Sequence, residues 1–150
     1  GFLRFTVSGR QMSETVKITT NIENSCCFGS NIFVILNLIY IRSMKRYGSV
    51  IGVKPEKLEE YKKLHAAVWP DVLTMIKECN IRNYSIFYRD GMLYSYYEYI
   101  GDDYEKDMQR MAADPITQEW WKLTDPCQQA LENRRPGEWW AAMEEVFHTD

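Results

Sequence analysis

The sequence predicts an α+β fold of the ferredoxin-like split βαβ type, and three observations predict it. Residues 44–150 alternate between period-2 and period-3.6 patterning in the order strand, helix, strand, strand, helix, strand. Asp90-Gly91 separates two extended runs, the dipeptide signal of a tight hairpin. Those runs carry large side chains on both faces, tyrosine above all, so a sheet with helices on one side only would leave an aromatic face bare. Pairing two such faces in a homodimer resolves this, which makes the expected architecture a dimeric α+β barrel.

The elements follow in order. Arg46–Val53 (RYGSVIGV) alternates loosely and is rich in β-formers, so it reads as the first strand. Pro55 and Glu56 suit a helix start, where the missing N–H costs nothing and a carboxylate meets the positive helix end. Leu58, Tyr61, His65 and Val68 then recur at helical spacing, with Glu59, Glu60, Lys62 and Lys63 on the other face. Trp69-Pro70 must kink or break that helix, because proline cannot continue the hydrogen-bond ladder. A second helical piece, Asp71–Cys79, turns Val72, Met75, Ile76 and Cys79 inward, and Asn80 ends it.

Asn83–Tyr88 and Met92–Ile100 form the hairpin. Leu93, Ser95, Tyr97 and Tyr99 share one face; Met92, Tyr94, Tyr96 and Glu98 share the other. Asp102 or Asp103 caps a helix over Tyr104–Ala113, and Asp114-Pro115 restarts one through Thr124. Gln128–Gly137 is polar and reads as a loop. Trp139-Trp140 are expected in packing or at a dimer interface, and Glu144–Thr149 is expected to close the sheet as a short strand.

The chain of 150 residues favours one domain with a substantial core. A net charge of −3, mixed in sign along the chain, gives no basic footprint for nucleic acid. Aromatics at 14%, with five Trp and ten Tyr, exceed what a small core needs and point to a lined pocket or an interface. Cys26, Cys27, Cys79 and Cys127 show no zinc spacing, and a reducing cytoplasm suits them best. Residues 1–43 lack either period and read as a weakly structured extension. The expectation is an over-long start or a non-native segment, with an amphipathic, membrane-surface arm as the alternative. The apolar run Asn31–Ile41 is too short to span a bilayer, which needs about 20 residues.

The candidates for chemistry are His65, Tyr61, Tyr84, Trp120, Trp121, Arg46 and the carboxylates of the core. A histidine on an apolar stripe is most often a satisfied core residue. His65 stands out because the only other histidine is His148, near the C-terminus. One helix histidine without neighbouring ligands makes a poor metal site, so no metal is expected. No activating motif surrounds a Ser or Cys, and no glycine-rich phosphate loop or dinucleotide fingerprint is present. What remains is an imidazole, phenols and indoles. That set suits a small polyhydroxylated ligand, aromatic faces meeting its C–H surfaces and polar groups its hydroxyls. Trp120 and Trp121 differ by about 100° in direction on a helix, so one is expected to line a pocket while the other packs or seals it.

Four blocks carry a family resemblance: EEYKKLHAAVWPDV (Glu59–Val72), RNYSIFY (Arg82–Tyr88), QEWWKLT (Gln118–Thr124) and MEEVFHTD (Met143–Asp150). In this order, spread over residues 44–150, they make the chain resemble the L-rhamnose mutarotases. The resemblance implies a dimeric α+β barrel, a monosaccharide substrate and no cofactor. It further implies that His65 protonates a sugar oxygen, that Tyr61 contacts the sugar from one turn earlier, and that Tyr84 with Trp120 and Trp121 binds it. Two stretches depart from the family pattern, residues 1–43 and the Gly137–Ala142 region with Trp139-Trp140. Two rivals share the fold: a small monooxygenase or haem-degrading enzyme, and a non-catalytic binding or assembly module.

Overall fold

The computed structural model describes residues 44–149, and the expectations for residues 1–43 lie outside the described residues. Strand β1, Lys45–Val53, is the centre of the sheet. It pairs antiparallel with β3, Met92–Tyr99, from Lys45↔Tyr99 to Gly52↔Met92. β3 in turn pairs with β2, Ile81–Arg89, across the two-residue turn Asp90-Gly91. Both turn residues have positive φ, 49° and 79°, the conformation that matches the twist of a tight hairpin. The strand order β2-β3-β1-β4 is the split βαβ order.

Four helices cover one face: α1 Leu58–Ala66, α2 Pro70–Glu78, α3 Tyr104–Ala113 and α4 Pro115–Thr124. Their ends obey local rules. Asp103 caps α3 by accepting from the Lys106 amide, and Asp114 caps α4 by accepting from Thr117. Asn80, at φ 59°, takes the left-handed conformation that lets the chain leave α2. The break at Trp69-Pro70 is present, although α1 stops at Ala66 rather than Val68, and Pro70 itself becomes the first residue of α2. A proline there forfeits no bond, because the first N–H groups of a helix have no internal partner.

The sheet's last edge differs from expectation. Gln128–Gln129 is not loop but a two-residue strand, β4, paired with the end of β1. The closing strand β5 is Ala141–Met143, three residues before the expected start, and Glu144–Thr149 has no regular structure. The shift follows from Trp140, which is buried among Ile51, Val53, Tyr61, Leu93 and Cys127 and so fixes where the returning chain meets β1. Gly52 permits the close approach on this edge, since a Cβ there would lie 2.9 Å from the Gln129 carbonyl oxygen.

The helix-covered face holds two apolar clusters. One joins Val72, Cys79, Ile81, Tyr97, Met108, Met111, Trp120 and Trp121; the other surrounds Tyr61 and Trp140. Leu64 packs against both, one residue before His65. The opposite sheet face is partly open in a single chain, with Phe87 63% exposed and Tyr94 38% exposed.

Candidate active site

The α1 helix sets His65 one turn after Tyr61, and the two rings stack with centroids 4.1 Å apart. His65 Nδ1 lies 2.9 Å from the Tyr61 carbonyl oxygen. A carbonyl can only accept, so Nδ1 carries the proton and Nε2, at the ring's far edge, holds the lone pair of the neutral imidazole. The edge of Trp120, from α4, meets the imidazole at 5.5 Å, and Trp69, from the α1–α2 break, meets Trp120 at 5.5 Å. The histidine is thus held by one hydrogen bond and two aromatic contacts.

A cavity of about 290 Å³ opens beside this group, close to the lower end of ligand-pocket sizes, about 300 Å³. His65, Tyr84, Trp120 and Trp121 line it together with Val68, Val72, Leu73, Ile76 and Ile86. Both indoles line it. The buried face of α4 spans Thr117, Trp120, Trp121 and Thr124, so the two directions straddle its centre and neither tryptophan is turned away. Tyr84 reaches the cavity from β2, just past a register irregularity between Arg82 and Ser85 where Asn83 takes φ 49°.

Tyr61 stands elsewhere. It is 3% exposed and lines a neighbouring cavity of about 270 Å³, with Leu58, Lys62, Tyr88 and Leu93. His65 and Ile86 line both cavities, so the imidazole forms part of the partition. The Tyr61 hydroxyl makes no well-formed hydrogen bond among the described residues, although the Gln128 side chain is near enough to act on its ionisation. Arg46 does not join the site. It lies by the open sheet face and pairs with Glu145 at 2.8 Å.

The electrostatics follow from burial. Burial lowers the His65 pKa below its ordinary 6.5, and the hydrogen bond to the Tyr61 carbonyl opposes that shift in part. Burial also holds the Tyr84 phenol well above its ordinary 10, with Tyr61 adding in the same direction. At neutral pH the cavity therefore presents a neutral imidazole and a protonated phenol. Behind Tyr84, Tyr97 meets it edge-on at 5.7 Å, and the Tyr97 and Tyr104 hydroxyls bond at 2.6 Å, a layer that backs the site.

Sequence reasoning assigned Val72 and Ile76 to core and gave Trp69 only its place before proline. The signal for a wall was present: Val72 and Ile76 share the inner stripe of α2, and Ile86 shares the Tyr84 side of β2.

A family profile described as L-rhamnose mutarotase matches residues 46–149. An L-rhamnose mutarotase of Oceanobacillus iheyensis is 35% identical over 107 residues, covering 71% of this chain and 100% of that protein. One from Bacillus subtilis is 34% identical over 109 residues, with the same coverage of each. Among solved structures, an L-rhamnose mutarotase from Formosa agariphila superposes with a TM-score of 0.55 at 21% identity, covering 71% of this chain and 99% of that one. Tetracenomycin F2 cyclase from Streptomyces glaucescens gives a TM-score of 0.54 at 14% identity, covering 71% and 97%. These two likenesses show the fold, the α+β barrel type expected from the sequence.

Proposed function

This chain belongs to the L-rhamnose mutarotase family, and we propose that its His65 cavity interconverts the α and β anomers of L-rhamnose. The observation that carries this is the joining of a neutral imidazole, a phenol and two indoles around one small cavity, in a chain of that family. Mutarotation opens the pyranose hemiacetal and closes it on the other face of C1. Each step moves one proton at the anomeric oxygen and one at the ring oxygen. His65 is the proton-transfer group, its ring held by Tyr61 and Trp120. Trp120 and Trp121 offer apolar surface to the sugar's C–H faces, and Tyr84 offers a hydroxyl. Tyr61 touches the sugar only from the neighbouring cavity; its main part is to seat the imidazole. Family membership weighs against the monooxygenase and binding-module alternatives.

The partner of the open sheet face is a second copy of the chain. Support comes from Phe87 and Tyr94 on that face, and from a terminal segment held by Arg46–Glu145 that leaves Val146 90% and Phe147 79% exposed. A cytoplasmic setting accords with the free thiols Cys79 and Cys127, and no helix among the described residues is long and apolar enough to cross a membrane.

The test is exchange NMR between the anomeric protons of L-rhamnose. The protein should speed exchange well above the buffer rate; exchange at the buffer rate for L-rhamnose and L-fucose alike overturns the assignment. Sedimentation equilibrium should show a dimer that Phe87→Glu converts to monomer, and a variant that stays dimeric removes this face from the interface.

A further inference from the structure

We propose that Gln128, on the short edge strand β4, is a positioning residue for the reaction: clamped by the Trp139 indole, its carboxamide holds the hydroxyl end of Tyr61, and Tyr61 in turn holds the His65 ring. The proposal rests on the mutarotase reading for the step that is served, and on packing for the linkage itself.

The linkage starts at the sheet edge, in a stretch whose polarity alone suggested a loop. β4 has two residues, and strand alternation turns Gln128 into the core, 3% exposed, while Gln129 faces out. The Gln128 backbone is pinned opposite Val53 at the end of β1. A carboxamide in the core brings an acceptor oxygen and two N–H donors, and all of them need partners. The Trp139 Nε1–H donates to Gln128 Oε1 at 2.7 Å. An indole N–H can only donate, so this bond fixes which way round the amide lies and leaves its NH2 group for another acceptor.

The Tyr61 hydroxyl is that acceptor. It is buried and makes no other hydrogen bond among the described residues. Gln128 acts on it as a donor does, opposing the upward push that burial gives the phenol. Trp139 packs against the apolar cluster that contains Tyr61 and Trp140, so the indole and the phenol reach the same part of the core.

The consequence for His65 follows from the ring geometry. A tyrosine ring fixed only at its Cβ can still tilt, and a hydrogen bond at the hydroxyl, the atom farthest from the backbone, restrains that tilt best. The imidazole stacks on this ring at 4.1 Å, with 29° between the planes, and meets the Trp120 edge at 5.5 Å. A Tyr61 ring free to tilt lets the imidazole turn with it. Nδ1 then leaves the Tyr61 carbonyl oxygen, now 2.9 Å away, and the tautomer is no longer fixed. Nε2 loses its placement as well.

The test uses the full chain and compares wild type with Gln128→Met, which keeps the side-chain length and removes both hydrogen bonds. Anomer-exchange NMR gives kcat and KM for L-rhamnose, and 1H–15N spectra of the imidazole give the His65 tautomer. Wild type should show the Nδ1–H form. Gln128→Met should show a mixture with the Nε2–H form, and kcat should fall about tenfold, within the roughly 10²-fold that a 1 Å misplacement costs, while KM stays within threefold. Made in a Tyr61→Phe background, where the hydroxyl is already gone, the same substitution should lower kcat by less than about twofold further. A folded Gln128→Met that keeps the wild-type tautomer, or whose kcat lies within threefold of wild type, overturns the proposal. So does a tenfold loss that persists undiminished in Tyr61→Phe. Should Gln128→Met not fold, Trp139→Phe takes its place, since it removes only the N–H that orients the amide. The same tautomer mixture is expected there, and an unchanged tautomer overturns the clamp. A wild type that never exceeds the buffer rate defeats the mutarotase reading instead, and the tautomer comparison then supports or overturns the linkage by itself.

Discussion

Replacing His65 with alanine separates what the imidazole does for the fold from what it does for the reaction. The ring gives up its stack on Tyr61 at 4.1 Å and its edge contact with Trp120 at 5.5 Å. Each such pair contributes about 0.5–1.5 kcal/mol beyond the area it buries. The Nδ1 bond adds about 1 kcal/mol. Alanine returns roughly 0.5 kcal/mol of helix propensity, and the Tyr61 carbonyl keeps its bond within the helix. The net loss is about 2 kcal/mol, or a fall in Tm of roughly 8 °C at about 4 °C per kcal/mol for a domain near 100 residues. The chain should therefore remain folded at 25 °C. Anomer exchange, by contrast, should drop about 10²-fold or more, the usual contribution of a positioned acid–base group. Calorimetry reads the first quantity and exchange NMR with L-rhamnose the second. A folded His65→Ala whose exchange stays within threefold of wild type would refute the chemical role. A variant unfolded at 25 °C would refute the packing estimate.

Three other outcomes follow from the same geometry. Because burial depresses the His65 pKa, the folded chain binds fewer protons than the unfolded one as pH falls below 6.5. The stability tied to this neutral ring is thus fully present above the unfolded pKa and lost as pH drops through the folded one. Urea midpoints should decline from pH 8 to 5, and more shallowly in His65→Asn; an unchanged slope in the variant contradicts this. Gly52→Ala places a Cβ 2.9 Å from the Gln129 carbonyl and should cost about 1–3 kcal/mol by urea denaturation; an unshifted midpoint would show that the β1–β4 edge yields freely. Trp69, 37% exposed and in edge contact with Trp120, borders the cavity wall. Trp69→Ala should raise KM about two- to tenfold, from a loss of about 0.5–1.5 kcal/mol, and a loss confined to kcat would be inconsistent with a binding role.

The legible parts of the sequence were those where one residue's chemistry acts locally. Pro70 had to end α1, Asn80 and Asp90-Gly91 had to reverse the chain, and Asp103 and Asp114 had to cap helices, whatever lay elsewhere. The sheet's last edge was opaque because pairing needs only backbone. Glu144–Thr149 contains the β-formers Val146, Phe147 and Thr149, yet the chain pairs at Ala141–Met143, where Trp140 anchors it. For the site, helical spacing placed Tyr61 and His65 on one face, and that held. Spacing could not say which cavity each ring borders: the answer depends on how α1 lies against β2 and α4, which is a tertiary matter. Arg46, a candidate by residue type alone, stands by the open sheet face and not at this cavity, and strand alternation gives two faces with no label for the one bearing a site.

The helix break explains why a cavity exists at this point at all. An uninterrupted helix from Leu58 to Glu78 would run on in one direction, and Val68 and Val72 would close against the sheet as ordinary core. Pro70 instead lets α2 start afresh, with the extended Trp69 as its cap and the Trp69 ring against Trp120. His65 is left half-buried near the end of α1, with α2 and α4 forming the opposite wall. The wall's lack of charge then sets the chemistry. A carboxylate beside His65 would raise its pKa and store the imidazolium, favouring one direction of proton flow. In a neutral wall, burial leaves the ring neutral at rest, and only the hydrogen bond to the Tyr61 carbonyl opposes that. Ring opening and ring closing are the same step reversed, so a group that serves both must take up and release a proton in each cycle.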